Sequence, residues 1–427
     1  MQSVITEPQR RFWLGAFLLW VVGTLTFMAA MGITAGVFAA ASLYVLWRSP
    51  EVWRGFPWHT ISGFAWACLL VMLTSALSLL AAYLDPPLGV PPDGWRGITK
   101  FHYFLYPVFT ALVIRQTGGD PHNHALWKAL RWMILLVSVV TVLQHFGGWI
   151  FPERWLSHRF FRPMAYMPKN FHGQGFMMFH LSFAAVMCFC TSYVAAHWIW
   201  NRRMMSIGKR WAGGALAVLA TLATYFTFSR AVWGALVAMF VLLAFLRRPR
   251  WGLAAMLGAS LLALALFQFN EAFRQRVNDT WAGTRGREIV WGAAMEMIQD
   301  RPLVGVGFSK TGQYSHDYAR RSLGGVDPWF SSHAHNNLLD VAAATGIPGV
   351  LAFAAWWLVL FSYMWRNFRE AAPEARWLGA ATLAAAVAFH VNGLTQVNFW
   401  DAKTQHTLML WAGLVLAQRA WIRKGHA

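Results

Sequence analysis

Apolar residues along this chain come in long blocks, and the polar breaks between them are short except in one place. Blocks of membrane-crossing length fall at 12–28, 30–47, 60–83, 101–114, 132–150, 176–200, 212–228, 231–246, 252–268, 336–362, 378–397 and 405–422. Runs near 20 residues match the hydrocarbon thickness of a bilayer. Inside lipid a backbone must satisfy its own hydrogen bonds, and these blocks lack the strict alternation of a membrane barrel strand. The expected fold class is therefore an all-α polytopic membrane protein with about 12 transmembrane helices. The composition agrees: of 427 residues, 57% are hydrophobic and 12% charged, which excludes a soluble multidomain enzyme.

The long polar break is 269–335, between the ninth and tenth spans. The chain reads as one membrane domain, 1–427, carrying 269–335 as an insertion that supplies part of an active site. Shorter segments at 84–100, with Asp85-Pro86-Pro87 and Pro91-Pro92-Asp93, and at 151–175 fall on the same side and carry turn chemistry. Twelve spans place both termini together. The terminal side holds 20 Lys and Arg, the other side 16, of which 8 lie in the long insertion that does not govern orientation. Both termini are accordingly expected in the cytoplasm. The net charge of +19 is then a topology signal plus affinity for anionic headgroups of membrane lipid. The basic residues are dispersed over short loops, so no nucleic-acid partner is expected. Cys68, Cys188 and Cys190 sit within apolar spans without metal-ligand spacing.

Chemistry is expected where arginine and histidine gather beside the lipid. Within the insertion, Arg287 to Gln299 reads as an amphipathic helix with Val290, Ala293, Ala294 and Met297 on one stripe, ended by Pro302. Trp291, four residues on, can brace the Arg287 stem, and a helix opening at Gly286-Arg287 would aim free N–H groups at an anion. Arg230 lies in a joint between two spans with almost no loop, where an arginine snorkels or holds an anion. Arg162, Arg230, Arg285, Arg287 and His335 share one side, near span ends. Planar guanidinium groups without partner carboxylates suit a diphosphate. None of the nine Asp residues forms an Asp-x-Asp pair, so the implied chemistry uses no metal, and no cofactor is indicated. His335 is the candidate base, Asn336 caps the next helix or orients the ring, and His333 is a competing base that spacing does not exclude.

Four motifs in order carry a resemblance. Ser229-Arg230-Ala231, Gly286-Arg287-x-x-x-Trp291, Asp300-Arg301-Pro302-Leu303-Val304-Gly305-Val306-Gly307-Phe308, and Ala334-His335-Asn336-Asn337-Leu338-Leu339-Asp340 with Gly346-Ile347-Pro348-Gly349 resemble the O-antigen ligase and polymerase superfamily. The resemblance implies a GT-C type glycosyltransferase of the bacterial inner membrane, with twelve helices, a large periplasmic loop and the active site on the periplasmic face. It implies an undecaprenyl diphosphate-linked glycan as donor and, for a ligase, a lipid A-core sugar as acceptor, completing lipopolysaccharide. By the same likeness His335 is the base on the acceptor hydroxyl, Arg287 and Arg230 hold the diphosphate, and Arg162 corresponds to an arginine before the sixth span. The reaction implied inverts the anomeric centre. A polymerase, or a protein O-oligosaccharyltransferase, shares the donor chemistry and stays open as an alternative. A lipid-linked sugar transporter fits less well, because the span centres are nearly free of charge.

Overall fold

The computed structural model describes residues 5–85, 94–118, 120–122, 124–157, 159–164, 167–278 and 280–423; the Pro-rich turns at 86–93 lie outside the described residues. Each apolar block coincides with a helix, its ends shifted by a few residues. The first half runs α1 (Glu7–Gly23), α2 (Met28–Arg48), the single turn α3 (Glu51–Arg54), α4 (Ser62–Leu84), α5 (Leu105–Thr117), α6 (Leu126–His145) and the short α7 (Gly147–Ile150). A 3₁₀ stretch, Gly94–Phe104, leads into α5. An antiparallel hairpin that the apolar pattern did not contain follows, β1 (Arg162–Met164) with β2 (Met167–His172), pairing Arg162 with His172. The second half has α8 (His180–Asn201), α9 (Ile207–Tyr225), α10 (Arg230–Arg247), α11 (Pro249–Phe269), α12 (Glu271–Asn278), α13 (Thr280–Asp300), α14 (Thr311–Ser322), α15 (Asn337–Glu370), α16 (Arg376–Gly393) and α17 (Ala402–Ile422).

Among the described residues, α2, α4, Gly97–Thr117, α6, α8, α10, α11 and α15 are long and apolar enough to cross a membrane. The protein is an all-α polytopic membrane protein. Its helices present large apolar side chains outward, among them Trp66, Leu73, Leu264 and Phe269, as a lipid-facing surface requires. The helices α1, α9, α16 and α17 are shorter or less apolar, and for α17 burial gives the reason. It carries Thr404, Gln405, His406, Gln418 and Arg419, all buried against protein, and Arg419 meets Glu370 at 2.5 Å. Lipid lacks a hydrophobic drive between helices, so association depends on close packing of small residues. Alanine-rich α16 packs between α8 and α10 in this way, and a Cβ at Gly379 would stand 2.7 Å from the Phe368 backbone. At the periphery, Gly252 is the only buried residue of α11.

The insertion folds as α12, α13 and α14. Val290, Ala293, Ala294 and Met297 of α13 are buried, and the last three pack with Val306, Tyr318, Ala319 and Ala343 in a small core separate from that of the bundle. The Asp300–Phe308 motif docks this unit onto a kink in α15. Val306 and Gly307 donate to the carbonyls of Ala343 and Ala344 at 2.9 and 3.1 Å, and Ile347 donates to Pro302 at 2.8 Å. The kink is Gly346, at φ 69°, where a Cβ would lie 2.6 Å from the Leu303 carbonyl carbon. Pro348 stands where the helix restarts, so its missing N–H costs little. Arg301 pairs with Asp85, and Arg321 with Asp300 at 2.5 Å.

One expectation is overturned here. The helix bearing Arg287 begins at Thr280, two turns earlier than Gly286, so Arg287 lies inside α13 and its free N–H groups are not at hand. Glycine at 286 serves close approach: a Cβ there would stand 3.2 Å from the Phe330 ring.

Candidate active site

His335 occupies the turn before α15, at φ 48°, a left-handed conformation that costs energy for a residue with a side chain. The turn is pinned from both sides. Asn336 caps α15 by accepting from the N–H groups of Leu338 and Leu339 at 2.9 and 3.1 Å, and its amide donates to the Leu394 carbonyl at 3.0 Å. Asn337 accepts from the N–H groups of Asn398 and Phe399 at 2.7 and 3.2 Å. The Ala334–Asn337 motif thus joins the start of α15 to the α16–α17 loop. That loop supplies Gln396, whose amide oxygen lies 3.1 Å from His335 Nδ1. An amide oxygen only accepts, so Nδ1 carries the proton and Nε2 keeps its lone pair. Burial holds the His335 pKa down to about 4, with the charges of His333 and Arg287 adding to the effect. The ring is neutral at pH 7 and available as a base.

His333 lies beside it, with ring centres 4.4 Å apart. Its Nδ1 is 3.0 Å from Ser332 Oγ, and its pKa is lowered by burial. His333 lines a cavity of about 430 Å³ together with Lys100, Asp340, Gln396, Asp401 and Lys403. Lys100 donates to Ser309 Oγ at 2.9 Å, and Asp340 accepts from Thr311 Oγ1 at 2.9 Å. Charged side chains line part of the cavity, which lies at the same end of the bundle as the insertion.

Toward α13, His335 stacks on Phe330 at 6.0 Å, and Phe330 packs against Gly286, the neighbour of Arg287. Arg287 is half-buried and has no hydrogen bond or ion pair among the described residues. Burial lowers its pKa, and the charge of Arg276 lowers it further. Arg276 was not singled out in the sequence, where it is one of several arginines in a polar loop. In the fold it bridges the insertion to the α9–α10 joint: Arg230 Nη1 donates to the Arg276 carbonyl at 3.2 Å, and Arg276 Nε donates to the Phe228 carbonyl at 3.3 Å. Phe228 has φ 53°. The non-glycine residues with positive φ among those described are Met178, Phe228, Ser309 and His335, and all four border this one region. Such strain persists where surrounding structure enforces it, often at functional sites.

The positive strip continues to the hairpin. His172 Nδ1 donates to the Thr227 carbonyl at 2.9 Å, and burial holds its pKa to about 4, with the charges of Arg276 and Arg162 adding. The Arg162 guanidinium lies 5.9 Å from the Phe179 ring centre, and with Arg159 it borders a cleft of about 420 Å³. Arg230, Arg276, Arg287, Arg162 and His335 are therefore brought to one region. Arg285 is not: it is exposed, and two residues along a helix place it about 200° from Arg287. Trp291 is partly buried with its indole N–H unpartnered, and its ring is not stacked on the Arg287 guanidinium among the described contacts.

Fold and site together define a helical membrane protein with a neutral histidine and an arginine that is unpaired among the described residues, both at one end of the bundle. Residues 215–354 match the family model described as O-antigen ligase, a stretch that holds Arg230, Arg276, Arg287 and His335. An O-antigen ligase of Pseudomonas aeruginosa is 28% identical over 178 residues, 41% of this chain. The aligned part spans only 38% of that relative's length. By these matches the chain is similar to the O-antigen ligases over residues 215–354.

Proposed function

We propose that the protein is a glycosyltransferase of the O-antigen ligase kind, moving a glycan from undecaprenyl diphosphate to a lipid A-core sugar at the periplasmic face of the inner membrane. The observation that carries this reading is Arg287: a half-buried cation without an anionic partner beside a neutral imidazole whose Nε2 is free. A buried charge without a counter-ion is costly, and a diphosphate would relieve the cost.

In this mechanism the acceptor hydroxyl gives its proton to His335 Nε2 as its oxygen attacks the anomeric carbon. The bond from that carbon to the phosphate oxygen breaks, its electron pair leaves with undecaprenyl diphosphate, and the anomeric configuration inverts. Arg287, with Arg276 and Arg230 behind it, stabilises charge on the departing diphosphate, and Arg162 receives the donor at the hairpin side. Gln396 holds the tautomer. His333 faces the cavity of Lys100, Asp401 and Lys403, where the acceptor sugar is placed by this reading.

The test is a gene deletion followed by separation of lipopolysaccharide by size. The account expects bare core, with polymer accumulating on the carrier lipid. Core bearing single repeat units would point to polymerase activity instead, and an unchanged ladder would refute both.

A further inference from the structure

A second polar cavity lies at the opposite end of the bundle, and nothing in the proposed transfer uses it. It is a half-open cleft of about 580 Å³ bordered by α6, α8, α9 and the turn between α8 and α9. Its polar wall holds Arg131, Lys209, His197, Asn201, Ser206 and Tyr193, while Val194, Gly213 and Leu216 line the part toward the bundle centre. The helices alternate in direction, so this wall stands where α8 ends and α9 begins, away from the starts of α10 and α15 that carry Arg230 and His335.

Three observations bear on what this cavity could hold. Arg131 and Lys209 have no acidic partner among the described residues, so two positive charges face one cavity uncompensated. Tyr193 is 1% exposed and its hydroxyl has no hydrogen-bond partner, although its ring is held firmly, stacked on Trp127 at 4.7 Å. The Asn201 side-chain oxygen is likewise buried and unpartnered. A buried hydroxyl without a partner costs free energy, and here it sits beside two cations. A phosphate oxygen suits the tyrosine and the two cations: it accepts from the hydroxyl and is attracted by both charges. The Asn201 oxygen calls for a donor next to that phosphate, as a headgroup hydroxyl provides. An apolar floor adjoining such a polar wall suits a molecule whose phosphate continues into hydrocarbon.

We propose that this cavity binds the phosphate group of a glycerophospholipid with a hydroxylated headgroup, in the leaflet opposite the candidate active site. The bound lipid ties α6 to α8 and α9, and so steadies the helices that lead to the hairpin and to the Arg230 joint.

The test uses the full-length protein in neutral detergent, with thermal unfolding followed on addition of phosphatidylglycerol, phosphatidylcholine or inorganic phosphate. Phosphatidylglycerol should raise the melting temperature in a saturable manner, and phosphatidylcholine should do so weakly. Arg131→Ala with Lys209→Ala should raise the half-saturating concentration by about 25-fold, at about fivefold per cation. Arg131→Lys with Lys209→Arg should retain binding. Arg10→Ala with Arg11→Ala, the same charge loss at the same end of the bundle, should leave it unchanged. Tyr193→Phe should weaken binding without lowering the unliganded melting temperature. Equal stabilisation of wild type and the Arg131/Lys209 alanine variant would overturn the site. Protection by inorganic phosphate alone, abolished in that variant, would assign a soluble occupant and overturn the lipid.

Discussion

At the scale of single residues, the balance is between burying ionisable groups and giving them something to do. His335 and His172 both titrate near 4, well below the 6.5 of a free imidazole, with burial the first cause in each. The unfolded chain therefore binds more protons than the folded one between those values. Stability from these rings is complete above pH 6.5 and is lost as pH falls toward 4. Melting of the detergent-solubilised protein should accordingly drop between pH 7 and 5, and replacing His172 with Gln should flatten part of that slope. The transfer rate on kcat/KM should keep its basic form down to pH values well below 6.5, since a base already neutral does not limit it. Arg276 gives a prediction that the sequence did not offer. Its alanine variant should lower transfer by about tenfold to a hundredfold, with unchanged membrane levels, because its side chain holds the Phe228 turn beside Arg230 and its charge adds to the field at Arg287. His335 and Arg287 were legible because their residue types are expensive beside lipid. Arg276 was not, since nothing in a run of polar residues says which arginine folds inward.

At the scale of elements, hydropathy located the helices and the stripe on α13, because burial against a bundle or a lipid leaves a periodic trace in the residues themselves. The hairpin at 162–172 left none: its register depends on turns and on neighbours, and three residues of strand are too short for alternation to show. The start of α13 was misjudged for a related reason, as Gly286 looked like a helix boundary and is a contact with Phe330. The docking of Asp300–Phe308 onto α15 yields the sharpest test at this scale. Gly346→Ala forces φ 69° on a residue with a Cβ and drives that carbon against Leu303, so it should cost at least about 1–3 kcal/mol. The melting temperature should fall and limited proteolysis should open the 300–345 region, while Gly312→Ala, which has open space around it, should behave as wild type.

At the scale of the whole molecule, the account needs the insertion, the hairpin and the starts of α8, α10, α15 and α17 on one side of the bilayer, with the α8–α9 turn on the other. All three native cysteines are buried, so they give little background to an impermeant thiol reagent. A cysteine at Ser322 should be labelled in intact cells with a permeable outer membrane, and one at Ser206 only after the inner membrane is opened. The reverse pattern would place the site in the cytoplasm and end the periplasmic reading.

The most direct measurement joins the molecule to its chemistry: purified protein reconstituted in liposomes with undecaprenyl diphosphate-linked glycan and lipid A-core, followed by gel separation of the product. Wild type should transfer glycan to core, and Arg287→Ala and His335→Ala should each reduce the rate by about a hundredfold or more while remaining folded. Undiminished transfer by either variant would contradict the arrangement of base and cation on which the account stands.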